Sequence, residues 1–191
     1  MTDMKSAFER AMEKAEKIGK ATPDELKQME AVPTGNQLAG RYMKEPDFDL
    51  AAAVDKYKGT GLRKPVIDGA LEILVRYLTL TTGSVSREAV ERAKKGILSL
   101  KESKKLVQDI FAQLDNLLNY YEQARQQLFN QMKQTYEQQM GQQMRPIGPQ
   151  GRGDVTAQPQ FREEMGRRLG ELNRQYEQAL EEQRQRIVKA Q

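Results

Sequence analysis

Apolar side chains recur along this chain at helical spacing, and nowhere in the alternation that marks a strand. Met4, Phe8, Ala11, Ala15 and Ile18 follow one another at intervals of four, three, four and three. That is a single narrow stripe on an α-helix, and Gly19 stands where a C-terminal cap belongs. In "TPDEL", Thr22 is placed to cap, Pro23 suits a first helical position and Glu25 completes a capping box, which predicts a short helix to about Ala31. "VPTGN" (32–36) has the composition of a turn. Pro46 and Asp47 open a further helix carrying Leu50, Ala51, Val54 and Tyr57, and "KGTGLRKP" ends it.

The most apolar segment spans roughly residues 65–81. Asp68, Glu72 and Arg76 occupy one stripe of it, while Val66, Ile67, Ala70, Leu71, Leu74, Tyr77 and Leu78 cover most of the remainder. A helix apolar on that much of its surface needs cover on several sides, so it is expected at the centre of an N-terminal core. "GSVSREAV" then restarts helix, with Ser86 as cap and Val85 and Val90 spaced as a hydrophobic staple. Nothing forces a stop before Gly141 or Pro146, which predicts a helix of about 80 Å at 1.5 Å per residue, with Gly96 as its bend. The Pro/Gly-rich stretch 145–160 reads as a loop, and helix resumes near Phe161.

The last two helices carry matching apolar lines. Folding one back on the other pairs Met140 with Met165, Tyr136 with Leu169, Met132 with Leu172 and Leu128 with Tyr176. The same register sets Ala124 against Leu180, Tyr121 against Gln183 and Leu117 against Ile187. It predicts an antiparallel, coiled-coil-like hairpin. In this register the tyrosines of the thrice-repeated Tyr-Glu-Gln (from Tyr121, Tyr136 and Tyr176) are seam residues and the glutamines are solvated. The fold class is therefore all-α. An N-terminal helical core (1–105) carries a long helical hairpin (106–191) whose Pro/Gly loop is 145–160.

Composition narrows the function. Cys, His and Trp are absent, which removes thiolate nucleophiles, disulfides, Cys-ligated metals and the commonest general base. Mean hydropathy is -0.80 and 30% of residues are charged, as suits elongated helices with much solvated surface. Net charge is only +4, and no segment has the one-sided charge of a dedicated nucleic-acid binder. The N-terminus is not a signal peptide, and only residues 65–80 approach a membrane segment; they are short and carry Asp68, Glu72 and Arg76, so a buried helix is the better reading and the expected location is the cytoplasm. Carboxylates are many, but nothing marks a convergent pair, so no enzyme, cofactor or metal site is predicted. "RGD" (152–154) has no extracellular setting here and is read as coincidence.

Two surfaces remain as candidates. Phe111, Leu118 and Phe129 lie about 100° around the long helix from the Leu117/Leu128 line. The core is placed to cover the first two, but Phe129 has no evident cover within the chain, which suggests a partner, most simply a second copy. Arg87, Lys94, Lys101 and Lys105 share nearly one helix face, an alternative contact for nucleic acid or the ribosome. Interspersed Glu88, Glu91 and Glu102, and the lack of aromatics among them, favour a solvated face. The opening "MKSAFERAMEKAEKIGK" with "TPDELKQME" resembles the start of small bacterial helical proteins of an uncharacterised family. That resemblance covers about thirty residues and implies no function. The expectation is a non-enzymatic interaction protein, an arm for self-association or for docking another protein, with no small-molecule ligand.

Overall fold

The computed structural model describes residues 23–80, 84–143 and 154–190. The predicted stripe of residues 4–18, the Thr22 cap and the loop between 144 and 153, including Arg152 of the RGD tripeptide, lie outside them. The described residues form six α-helices and one 3-10 turn, with no strand among them. The helices are α1 (Pro23–Lys44), α2 (Leu50–Asp55), α3 (Arg63–Arg76), α4 (Ser84–Leu100), α5 (Lys104–Gln143) and α6 (Pro159–Lys189), and the 3-10 turn (Val155–Ala157) precedes α6. No helix among these residues is long and apolar enough to cross a membrane.

As its composition requires, α3 is the hub: Val66, Ala70, Leu71 and Leu74 are buried in it, and α1, α2, α4 and α6 all pack against it. Each large side chain so buried contributes about 1.5–3 kcal/mol. The core continues past position 105, drawing in Val107, Ile110, Leu114 and Leu118 of α5 and Leu180 and Ile187 of α6.

The expected turn at 32–36 is not there. α1 runs without interruption through Pro33 to Lys44. A proline inside a helix forfeits one backbone hydrogen bond and crowds the preceding turn, so something must favour continuation. The reason is contact between backbones. A Cβ on Gly35 would lie 2.0 Å from the Val66 carbonyl oxygen, and one on Gly69 would lie 2.1 Å from the Val32 carbonyl oxygen. The glycine that reads as a turn residue is the notch through which α1 meets α3. Helices that approach this closely gain dispersion contact along both backbones, which offsets the proline.

Other boundaries also move. α2 begins at Leu50, because the Asp49 carboxylate, not Asp47, accepts from the Ala52 N–H at 2.9 Å. Ser86 lies inside α4, which already begins at Ser84. The predicted 80 Å helix is two helices, and the break falls at 101–103, not at Gly96. Gly96 lies within α4 at a tight contact, where a Cβ would come 2.7 Å from Tyr42 Cε1 and 3.2 Å from Leu74 Cδ1. The turn at 101–103 leaves α4 on α1, α2 and α3 while α5 goes to α6. The loop at 58–62 is as read, with Gly59 and Gly61 at φ of 83° and 74°, values open to glycine with little strain.

If the α1/α3 notch holds the core, Gly35→Ala or Gly69→Ala separates the helices and lowers unfolding free energy by about 1–3 kcal/mol, the usual cost of overpacking. Gly166→Ala and Gly170→Ala, where nothing lies within 4 Å of the added carbon, should instead raise it by up to about 1 kcal/mol through helix propensity. Urea unfolding followed by circular dichroism measures both.

Candidate interaction surfaces

The four cations of the predicted basic face do not form one open surface. Lys94 is only 5% exposed; its ammonium donates to Glu91 at 2.7 Å and to Asp115, and lies 5.9 Å from the Phe111 ring centroid. The Lys101 ammonium donates to the carbonyl oxygens of Val188 (2.9 Å) and Ala190. Burial pushes its pKa down, against the opposing pull of Asp68. Arg87 pairs with Glu122 at the surface. Lys105 is exposed. The expectation of a shared face fails because helical spacing gives direction only, and the break at 101–103 turns Lys101 and Lys105 onto separate segments.

Of the four, Lys101 closes a helix end, and two other cations, Arg92 and Arg184, act in the same way. The last turn of any helix leaves carbonyls without intrahelical donors, at the negative end of the helix dipole. Lys101 serves the end of α6. Arg92 serves the end of α1, donating to the carbonyl oxygens of Tyr42 (2.6 Å), Glu45 and Pro46 (3.3 Å). Its guanidinium also lies 4.5 Å from the Tyr42 ring centroid, and the Tyr42 hydroxyl donates back to the Arg92 carbonyl oxygen at 3.0 Å. Arg184 serves the residues after α3, donating to the Leu78 carbonyl oxygen at 2.8 and 3.0 Å while pairing with Glu177 and Glu181. Arg92 lies on α4, Arg184 on α6 and Lys101 in the turn after α4, so each also ties two parts of the fold together.

Of the predicted apolar patch, Phe111 and Leu118 are buried in the core. Phe129 has the cover that sequence did not reveal: its ring meets Phe161 edge to face, with centroids 6.0 Å apart, and Phe161 meets Tyr136 at 5.3 Å. With buried Met132 and Val155 these rings form a second small core, far along α5 from the first. Between the two, Tyr121 is buried against Tyr176 (5.3 Å) and donates to Asn173 Oδ1 at 2.7 Å; burial raises its pKa. Further contacts join Tyr136 to the Gln160 carbonyl oxygen and Arg186 to Gln113. The Tyr121–Tyr176 contact lies one heptad from the expected pairing of Tyr121 with Gln183. A seven-residue slip preserves which face is apolar, so periodicity cannot choose between the two. The aromatic contacts choose, with Phe161 against Phe129 and Tyr136.

Among the described residues, the large apolar side chains left in solvent are Tyr120 (64% exposed), Val188 (49%) and Leu106 (48%). Sequence reasoning passed over all three. Val188 and Val75 form the apolar floor of a cleft of about 520 Å³ between α3 and α6, walled by Glu72, Arg76, Glu181 and Lys189.

Two outcomes follow from these contacts. Lys101→Met keeps the aliphatic stem and removes the donor. It should cost about 1–2 kcal/mol for the two carbonyls left unserved and speed amide exchange at the end of α6. Glu164 accepts from Arg167 and then from Arg168, which holds its pKa at about 2, well under the ordinary 4.5. A depressed carboxylate stabilises the folded state above its unfolded pKa and loses that contribution as pH falls through the folded value. Helicity near residues 161–171 should therefore weaken between about pH 4.5 and 2, and less so in Glu164→Gln, as read by amide exchange on acid titration.

No curated protein and no solved structure matches the chain. A family model does match, over residues 51–189, taking in α3 to α6 and leaving out residues 1–50. The match spans well over half of the chain, and the protein therefore belongs to the family of unknown function DUF6657.

Proposed function

We propose that α5 and α6 form an antiparallel, coiled-coil-like hairpin, an arm on the N-terminal core, and that the protein is a non-enzymatic assembly factor of the cytoplasm which associates with a second copy through this arm. At 40 and 31 residues these helices reach about 60 and 46 Å. That length exceeds what covering the core requires. The observation that carries the reading is Tyr120. It is 64% exposed beside fully buried Tyr121, roughly in line with exposed Leu106 two heptads earlier. A two-helix arm buries one stripe of each helix, and a second arm covers the next, as in four-helix arrangements. Contact through Tyr120 and Leu106 replaces the expected contact through Phe129, whose ring is occupied by Phe161.

Light scattering across a concentration series tests this. The unaltered chain should show twice the monomer mass, and Tyr120→Glu with Leu106→Glu should return it to the monomer with helicity unchanged. A monodisperse monomer at every concentration overturns the proposal.

A further inference from the structure

Arg63 and Asp55 clasp the loop that joins α2 to α3. The guanidinium donates to Asp55 Oδ1 from two nitrogens, at 3.2 and 3.3 Å. Inside the clasp, the Thr60 hydroxyl donates to the Tyr57 carbonyl oxygen at 2.7 Å and accepts from the Leu62 N–H at 3.2 Å. The loop is thus a fixed turn. Its two glycines leave the backbone bare, since a Cβ on Gly59 or Gly61 would meet nothing within 4 Å.

Residues 55–64 hold four cations, Lys56, Lys58, Arg63 and Lys64, against one carboxylate, in a chain with 31 basic and 27 acidic residues. That carboxylate is Asp55, and Arg63 occupies it. Lys56, Lys58 and Lys64 are exposed, and among the described residues no carboxylate pairs with any of them. Exposed cations elsewhere are matched: Arg41, Arg76, Arg87 and Arg167 each have a carboxylate partner. Tyr57 and Leu62 pack against the core, so the loop offers little apolar anchor to a protein surface or a lipid layer. What it presents is three ammonium groups on flexible stems beside uncovered peptide. Such point charges suit phosphate, whereas a planar guanidinium is the closer match to a carboxylate. We propose that this loop holds the sugar-phosphate backbone of a nucleic-acid duplex, through Lys56, Lys58 and Lys64 and without reading bases. The site is separate from the predicted face of Arg87, Lys94, Lys101 and Lys105, and independent of the arm's association with a second copy.

Fluorescence anisotropy of the full chain with a labelled DNA duplex of mixed sequence tests this. Three phosphate contacts should weaken binding about fortyfold between about 50 and 200 mM salt. Lys56→Gln with Lys58→Gln and Lys64→Gln should lower affinity at the lower salt by about tenfold or more and flatten the salt dependence by about one unit of slope per lysine, with helicity unchanged. Lys95→Gln with Lys104→Gln and Lys105→Gln removes the same charge from exposed lysines elsewhere, and should leave both quantities as they are. Equal losses in the two triple variants, or no binding at the lower salt, overturn the proposal. So does equal competition by polyglutamate of the same total charge, which would make the loop a docking point for acidic protein.

Discussion

The backbone contact between α1 and α3 is the constraint from which the rest of the core follows. At Gly35 and Gly69 each helix lacks the one carbon that would hold the other away, and each presents a carbonyl in its place. Close approach of this kind keeps α1 helical across Pro33 and fixes where Tyr42 arrives. From there, Tyr42 lies against Gly96 and meets Arg92 of α4 in a reciprocal pair of side-chain-to-backbone hydrogen bonds. A methyl group at either glycine would displace not only one contact but the third helix that is keyed to it.

Long cations complete what the glycines begin. Arg92 on α4, Lys101 in the turn after α4 and Arg184 on α6 each reach carbonyls at or just past the C-terminal end of another helix. Such bonds are charge-assisted, and they act at the negative end of a helix dipole, where a cation is favoured. In a protein with 30% charged residues and no cysteine, they supply cross-links that a small apolar core cannot. Lys94 plays a related part, buried against Phe111 while its two carboxylate partners remain half in solvent. The solvated carboxylates lower the cost of burying that charge.

α5 connects two separate clusters of buried side chains. One is the main core, which Ile187 and Leu180 of α6 join; the other is the ring cluster of Phe129, Tyr136 and Phe161. The intervening stretch relies on Tyr121 and Tyr176 and on small or polar residues such as Ala124 and Asn173. Fixing both ends sets the register between the helices more firmly than the sparse middle does. The Tyr-Glu-Gln repeat is part of this device: all three of its tyrosines make ring contacts, and each of its glutamates is exposed.

The sequence by itself determined the all-helical class, the central place of α3 and the glycine turn after α2, because these depend on local periodicity and on φ values that glycine adopts readily. It also placed Phe111 and Leu118 within reach of the core. Tertiary structure alone decided the continuation through Pro33, the break at 101–103, the contact of Tyr121 with Tyr176 and the cover over Phe129. Each of these turns on a contact between residues distant in the chain, and helical periodicity carries no information about distance across the fold. A glycine suits a turn and a helix crossing equally well, and a lysine stripe suits solvent, phosphate or a helix end. Only the partner brought by folding selects among them, as Val66 does for Gly35 and the end of α6 does for Lys101.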